Sequence, residues 1–395
     1  MEIQVRQGDT LWYYANTFNV PLSLLIDSNP SIIPSSLNIS QTVKIPGYRS
    51  YSYQIQSGDT FHKIAAANQT SLDNLLLLNP SIKPTLLQVG ETIQIPERVT
   101  KPVVNGNQPY DFQVLSHHLN QLYELYPFIR RETIGKSVMG KDLVELQIGC
   151  GPKVVHWNGS FHANEWITTA IIMEFLNTYL LSLTNRETIL GRDTNPFYSE
   201  VTLSIVPMVD PDGVNLVLNG PPEGEFGERA LRINNGSTDF SGWKANIMGV
   251  DLNKQYPAKW ELEAARKPTE PSHRDFPGYQ PLTEPESIAM AELAEARSFE
   301  KILPFHTQGE VIYWGYEGLE PPIAKEIVYE FARVSGYEPI QFVDSYTGYK
   351  DWFIKVWQRP GYTIELGNGV NPLPLSQFNK IYQQSVGIFL ASMYM

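Results

Sequence analysis

The stretch VVHWNGSFHANEWIT, residues 154–168, places a short apolar run directly before two potential metal ligands. The run is rich in β-branched and aromatic residues, which is typical of a buried strand. Asn158–Ser160 then supplies the residue types that end strands in turns. His162 and Glu165 follow, three positions apart, at the start of a long apolar segment. An imidazole nitrogen and a carboxylate at such a corner can bind the same metal ion.

Strand and helix patterns alternate on both sides of this corner, across residues 110–395. Apolar runs predict strands at 128–134, 142–148, 154–157, 202–208, 300–305 and 361–366, and helical periodicity predicts helices at 112–126 and 166–183. This alternation predicts an α/β fold, with a large sheet and helices on both of its faces. Ligand sites in such sheets lie at the carboxyl ends of central strands, which is where the His162 corner falls.

The first hundred residues contain an internal repeat. Residues 2–46 and 52–96 align without a gap, and both copies contain Gly-Asp-Thr and Asn-Pro-Ser-Ile at matching positions, so a duplication is indicated. Each copy predicts a βααβ module in which Asp9 or Asp59 caps the first helix. Residues 97–109 are rich in proline, glycine and asparagine and lack periodicity, which predicts a linker. The chain is therefore divided into two small modules, a linker and a large domain at 110–395.

Composition excludes several classes of protein. The formal net charge of −12 argues against a nucleic-acid partner. Cys150 is the only cysteine, so a metal site must use histidine and carboxylate ligands. The sequence shows no stretch that is expected to span a membrane. The N-terminus has neither a basic start nor an apolar segment, and we therefore expect no secretory signal.

A second imidazole completes the metal site. His306 lies at the end of the apolar run 301–305, so its position at a strand end matches that of the first corner. With His162 and Glu165 it gives two histidines and one carboxylate. Catalytic zinc sites use three such protein ligands and keep a further position for water, whereas structural sites have four protein ligands. We therefore predict one Zn²⁺ per chain, held by these three residues.

Five further residues have the chemistry that such a site needs. Glu365 lies in an apolar strand, a setting that raises a carboxyl pKa toward the range of a general base. Lys244 supplies a cation for a carbonyl oxygen that becomes an oxyanion. Asp251 is placed to orient a metal-bound histidine from behind. Asn253 and Lys254 are predicted to bind a substrate carboxylate.

Two family resemblances cover these features. The duplicated βααβ modules resemble LysM domains, which implies binding to the glycan of peptidoglycan or chitin. Residues 110–395 resemble the carboxypeptidase A-like zinc peptidases, whose domain is a mixed sheet with helices on both faces. The segments that carry this second resemblance are FHANEWIT (161–168), DPDG (210–213), WK (243–244), GVDLN (249–253), FHT (305–307), DW (351–352) and TIEL (363–366). The resemblance implies zinc on the predicted ligands, Glu365 as general base, and Asp251 as the partner of His162.

The sequence departs from that family at two positions. Lys244 and Lys254 stand where the family usually has arginine, and lysine keeps the charge but loses the bidentate fork. A substrate other than an ordinary peptide C-terminus is therefore expected. The resemblance also implies a substrate-binding tyrosine, for which Tyr346 is the prediction and Tyr349 the alternative.

The LysM modules and the two lysines together resemble the γ-D-glutamyl-L-diamino acid endopeptidases of spore-forming bacilli. This resemblance implies hydrolysis of the γ-D-glutamyl–meso-diaminopimelate bond in peptidoglycan stem peptides, with the LysM modules bound to the glycan. It also implies a location in the cytoplasm of a sporulating cell, or on wall or spore material after release. Two alternatives are a stem-peptide carboxypeptidase of the same mechanism and a non-catalytic peptidoglycan-binding protein.

Overall fold

The chain forms two compact units in the computed structural model, which describes residues 1–395. The first unit comprises residues 1–103 together with 118–130 and 177–195, and the second comprises the rest. The predicted boundary between linker and large domain at 109/110 therefore does not coincide with the division into units, and the domain limits stay a prediction.

Two βααβ modules make up most of the first unit. Their elements are β1 (Glu2–Gln4), α1 (Leu11–Thr17), α2 (Leu22–Asp27) and β2 (Thr42–Lys44), then β3 (Tyr48–Gln54), α3 (Phe61–Ala67), α4 (Leu72–Leu78) and β4 (Thr92–Arg98). In each module the first and last strands pair antiparallel. Each has its own small apolar core, because the alternating strand residues and one face of each helix point inward. The predicted βααβ outline is confirmed.

The predicted caps of the first helices are wrong by one residue. Thr10, with an extended backbone, accepts a hydrogen bond from the Tyr13 amide at 3.0 Å and is the N-cap of α1. Thr60 caps α3 in the same way. Asp9 instead accepts hydrogen bonds from the Arg6 amide and the Tyr14 hydroxyl. The aspartate therefore closes the turn before the helix, since only the residue next to the first helical position can reach its free amides.

The remaining strands, in chain order, are β5 (Arg130–Lys136), β6 (Asp142–Ile148), β7 (Lys153–Asn158), β8 (Thr188–Ile189), β9 (Arg192–Asp193), β10 (Val201–Val206), β11 (Lys301–Thr307), β12 (Val311–Tyr313), β13 (Glu338–Ile340) and β14 (Thr363–Leu366). The remaining helices are α5 (Phe112–Leu125), α6 (Ile167–Asn185), α7 (Asn195–Glu200), α8 (Pro211–Asn219), α9 (Glu225–Ile233), α10 (Trp260–Ala264), α11 (Pro285–Arg297), α12 (Ile323–Ser335), α13 (Tyr349–Trp357) and α14 (Phe378–Tyr394).

An eight-stranded mixed sheet organises the second unit, in the order β13-β12-β14-β11-β7-β10-β6-β5. The central strands β14, β11, β7 and β10 are parallel, whereas β12 and β6 run antiparallel to their central neighbours. The predicted α/β class with a mixed sheet is confirmed. Strands β12 and β13 are not predicted from the sequence, because three-residue strands are too short to show a periodicity.

One helical segment, residues 163–185, is long and apolar enough to cross a membrane by length and composition alone. Of its most apolar window, 89% is buried inside the protein, as is usual for a core helix packed on a sheet. The apolar composition of this segment is thus accounted for by packing.

Candidate metal centre and catalytic site

The site lies at the carboxyl ends of three neighbouring parallel strands. His162 and Glu165 follow the end of β7, and Ala163–Glu165 forms one turn of 3₁₀-helix that leads into α6. His306 lies within β11, and Glu365 lies opposite it in β14 as its register partner. Paired residues on adjacent strands point to the same face of a sheet, roughly 4.8 Å apart. The sheet register therefore places the second histidine beside the predicted base.

The three predicted zinc ligands converge. Glu165 Oε1 lies 2.9 Å from Nδ1 of His162, and Glu165 Oε2 lies 2.9 Å from Nδ1 of His306. The two Nδ1 atoms are 3.1 Å apart. All three side chains are buried, and their ligand atoms lie within 4.8 Å of one another. Two imidazole nitrogens and a carboxylate facing one buried point are the donor set that zinc prefers, so these residues fit that ion.

Asp251 lies behind His162. Its Oδ1 is 3.2 Å from Nε2 of His162, the ring nitrogen that faces away from Glu165, and its Oδ2 is 3.3 Å from Nζ of Lys244. Burial alone would raise the pKa of Asp251, but the charges of Lys244 and His162 outweigh it and hold that pKa well below its usual value. Asp275, 3.6 Å from Lys244, gives the lysine a second carboxylate. Asp251 is therefore an ionised group that orients the imidazole and positions the lysine.

Asn253 has a comparable place beside the other histidine. Its Nδ2 lies 3.4 Å from Nε2 of His306, and its Oδ1 accepts a hydrogen bond from the Tyr349 amide at 2.9 Å. The amide group thus links His306 to the first residue of α13. Both histidines are therefore contacted at the ring nitrogen that the ligand cluster does not use.

Glu365 has the electrostatic character of a general base. Burial raises its pKa, and the negative charge of nearby Glu165 raises it further. A carboxyl group with a raised pKa takes up and releases a proton more readily near neutral pH than an ordinary glutamate does. Its neighbour Tyr313, from β12, also has a raised pKa, first because of burial and then because of Glu365.

A cavity of about 180 Å³ opens over these groups. The residues that line it are His162, Lys244, Asn253, Lys254, His306, Tyr313, Val343, Ser345, Gly348, Lys350, Asp351, Thr363 and Glu365. Six of the nine predicted site residues are among them. Of the others, Glu165 lies between the two histidines and Asp251 lies behind His162.

Tyr346 does not line this cavity. Its ring lies near two cations, 5.4 Å from Nζ of Lys259 and 5.0 Å from Cζ of Arg266. The alternative, Tyr349, is fully buried in the core, where its ring packs near Phe161. Tyr313 supplies the phenol of the cavity instead. A substrate-binding role for Tyr346 stays a prediction.

Sequence reasoning missed two features of the site. Lys254 Nζ donates hydrogen bonds to Glu263 Oε1 at 2.8 Å and to Ser345 Oγ at 2.6 Å. The sequence does not show that Glu263, and not its neighbour Glu261 in α10, is the partner of Lys254. Only the tertiary packing of α10 brings Glu263 next to that lysine. Tyr313 has only a weak signal, since Val311–Tyr313 is a β-branched and aromatic triplet after the His306 strand but is too short to show a strand period.

Comparisons with known proteins agree with this geometry. The family model for zinc carboxypeptidases matches residues 115–386, and the LysM model matches residues 3–46 and 53–96. The chain is 60% identical over its whole length, and over the whole length of the relative, to γ-D-glutamyl-L-diamino acid endopeptidase 1 of Lysinibacillus sphaericus. It is 45% identical to the uncharacterized protein YqgT of Bacillus subtilis, over 72% of this chain and 77% of that protein.

Solved structures show the same fold at low identity. Thrombin-activatable fibrinolysis inhibitor aligns with a TM-score of 0.58 and 15% identity, over 87% of this chain and 97% of that chain. Carboxypeptidase A of Helicoverpa armigera aligns with a TM-score of 0.56 and 15% identity, over 88% and 98% of the two chains. With the metal cluster and the family match over most of its length, the chain belongs to the zinc carboxypeptidase family and carries two LysM domains ahead of its peptidase domain.

Proposed function

We propose that this protein hydrolyses the bond between γ-D-glutamate and meso-diaminopimelate in the stem peptides of peptidoglycan. The observation that carries the proposal is the identity of 60%, over the full length of both chains, with an endopeptidase named for γ-D-glutamyl-L-diamino acid bonds. The converging ligands His162, Glu165 and His306, with Glu365 beside them, supply the hydrolytic machinery.

The catalytic groups have separate tasks. Zinc, when bound by His162, Glu165 and His306, would lower the pKa of water and polarise the scissile carbonyl. Glu365 removes the proton from the attacking water and afterwards delivers it to the amine nitrogen of the leaving diaminopimelate. Lys244 donates from its ammonium to the carbonyl oxygen as negative charge develops there. The three ligands are buried and Glu365 and Lys244 are partly buried, which strengthens the charge interactions on which these steps depend.

Lys254 and Asn253 are proposed to hold the carboxylate next to the cut bond. The ammonium of Lys254 has three donors, of which Glu263 and Ser345 occupy two. One donor is left for a substrate carboxylate. A lysine offers a single point of charge where an arginine would offer a planar fork, so this grip tolerates a wider range of carboxylate geometry.

The LysM modules are proposed to bind the glycan strands while the peptidase domain works on the stem peptides. Attachment to the polymer raises the effective concentration of cleavable peptide near the catalytic site. We further propose that the protein acts during sporulation, in the cytoplasm of the sporulating cell or on wall and spore material after release.

The test is the digestion of purified diaminopimelate-type stem peptide, followed by mass spectrometry of the products. The wild type should separate the γ-glutamyl residue from diaminopimelate, and a chelator should stop the reaction. Glu365→Gln should lower the rate by about 100- to 10,000-fold while zinc content stays unchanged. Release of only the terminal residue would identify a stem-peptide carboxypeptidase instead. Absence of any chelator-sensitive product would identify a non-catalytic binding protein.

A further inference from the structure

The junction of the two LysM modules contains a cleft of about 510 Å³, a volume within the usual range of small-molecule sites. It shares no residue with the catalytic cavity. None of its lining residues belongs to the Gly-Asp-Thr or Asn-Pro-Ser-Ile segments that both modules repeat. The lining residues are Thr17, Phe18, Asn19, Tyr48, Asn68, Gln69, Thr70, Ser71, Asn74, Pro96, Glu97, Arg98 and Thr100.

The duplication provides an internal reference for one wall of this cleft. Residues 68–74 of the second module correspond to residues 18–24 of the first at the constant offset of 50. Phe18, Val20 and Leu24 are at most 1% exposed, as expected for apolar residues in a small core. Four apolar positions of the first copy are polar in the second, and all four polar residues line the cleft: Phe18 becomes Asn68, Val20 becomes Thr70, Pro21 becomes Ser71 and Leu24 becomes Asn74.

Asn74 is the buried member of this polar set. It lies in the first turn of α4 and is 5% exposed. Its Nδ2 is 3.4 Å from Oγ1 of Thr70, whereas its Oδ1 has no hydrogen-bond partner among the groups of the protein. A buried acceptor without a partner is destabilising, and leucine at the corresponding position of the first module avoids that cost. A ligand that donates an O–H or N–H in the cleft would supply the missing partner.

Contacts between the modules hold the cleft in a fixed shape. Nη2 of Arg98, at the end of β4, donates to the carbonyl oxygen of Asn19 at 3.1 Å, just after the end of α1. Asp73, next to Asn74 on α4, lies 3.4 Å from Nη1 of Arg6 and accepts a hydrogen bond from the hydroxyl of Tyr13. A site whose walls are already ordered loses less conformational entropy when a ligand binds.

The lining favours a neutral ligand that is rich in hydroxyl groups. Nine of the thirteen lining side chains end in an amide or a hydroxyl, and the single charges of Glu97 and Arg98 balance. Amides and hydroxyls both donate and accept, as sugar hydroxyls and acetamido groups do. A stem peptide carries several carboxylates, for which this cleft has no surplus of positive charge.

We propose that the cleft binds an N-acetylhexosamine unit of the peptidoglycan glycan, with Oδ1 of Asn74 as an acceptor for the sugar. The repeated segments are common to both modules, whereas this site exists only where the two modules meet. The proposal concerns the glycan partner, and it does not depend on which peptide bond the catalytic site cuts.

The experiment measures amide hydrogen exchange of the full-length protein with and without a soluble tetrasaccharide of N-acetylglucosamine. At a tetrasaccharide concentration about ten times that for half-maximal protection, exchange in residues 68–74 should slow by about tenfold. Asn74→Leu places the residue of the first module at this position and removes the acceptor. It should raise the half-maximal concentration for this segment by about tenfold without lowering the thermal midpoint.

Asn120→Leu is the matched control, because Asn120 is an exposed residue of helix α5 that does not line the cleft. This variant should match wild type in the protection of residues 68–74. Protection that is absent from this segment in the wild type, or that Asn74→Leu leaves unchanged, would overturn the proposal. So would protection of the segment by a sugar-free stem tripeptide and not by the tetrasaccharide. Failure of the endopeptidase function would appear only in the peptide digest and would leave the exchange result unaffected.

Discussion

Asp251 is expected to control zinc affinity through His162, although it does not belong to the ligand cluster. The variant Asp251→Asn keeps the shape of the side chain and removes its negative charge. One oxygen of Asp251 contacts the far nitrogen of His162 and the other contacts Lys244. The substitution therefore weakens the hold on the imidazole and removes one of the two carboxylates that balance Lys244.

The expected loss of zinc affinity depends on which partners Lys244 and His162 keep in the Asp251→Asn variant. At an effective dielectric constant of roughly 20, charges 3.3 Å and 3.6 Å apart attract by gross energies of about 5 kcal/mol each, so Lys244 keeps a comparable partner in Asp275. His162 has no such substitute on its far nitrogen. Loss of a carboxylate behind a zinc-bound histidine typically weakens metal binding about 10- to 100-fold. The corresponding change in binding free energy is about 1.4 to 2.8 kcal/mol.

The assay is a zinc competition titration against a chromophoric chelator. The control is Asp275→Asn, which removes the other carboxylate of Lys244 but contacts neither histidine. We expect Asp251→Asn to raise the zinc Kd by about 10- to 100-fold and Asp275→Asn to change it by less than about threefold. An unchanged Kd for Asp251→Asn would refute the reasoning, and so would an equal loss in both variants, because the effect would then come from Lys244.

Three further outcomes are expected. Burial raises the pKa of Glu286 to about 7 from 4.5, so its contribution to stability is fully present below pH 4.5 and is lost as pH rises through 7. In urea titrations at fixed pH values, the free energy of unfolding of wild type relative to Glu286→Gln should therefore fall by about 3 kcal/mol over that window. A difference that does not depend on pH would contradict the assignment. Thr10→Ala should destabilise the first module by about 1 kcal/mol in denaturant unfolding, whereas an unchanged midpoint would remove Thr10 as the cap of α1. Removal of zinc should lower the thermal midpoint, since zinc at 100 times its Kd contributes about 2.7 kcal/mol to the folded state; identical melts with and without chelator would mean that the cluster does not bind it.

Much of the catalytic site was predictable because local patterns position its members. His162 and Glu165 sit at a strand-turn-helix corner whose three parts are each visible in the sequence. His306 and Glu365 lie in apolar strands, and parallel pairing at the same sheet edge brings them together. These placements need only the period of each strand and the rule for ligand sites in α/β sheets.

The rest depended on contacts between distant segments. Lys350 can be seen in the sequence only as a charged residue at a helix start, because its hydrogen bond to the carbonyl of Gly315 joins segments 35 positions apart. The direction in which the side chain of Tyr346 points could not be predicted from the sequence either. Its ring lies beside Lys259 and Arg266 instead of in the cavity. The prediction of Asp9 as the helix cap was wrong by only one residue, because threonine and aspartate both cap helices and Asp9 directly precedes Thr10.

The register between β11 and β14 has a consequence for how such an enzyme changes over time. His306 and Glu365 occupy paired positions on adjacent strands, so backbone hydrogen bonds fix the separation of metal ligand and base. Lys350 and Tyr313 come from a helix start and from a short strand toward the edge of the sheet, and the register of β11 with β14 does not depend on either. Substitutions there can alter the lining of the cavity while His306 and Glu365 keep their spacing. The fold therefore lets the residues around the substrate change during evolution without moving the residues that carry out hydrolysis.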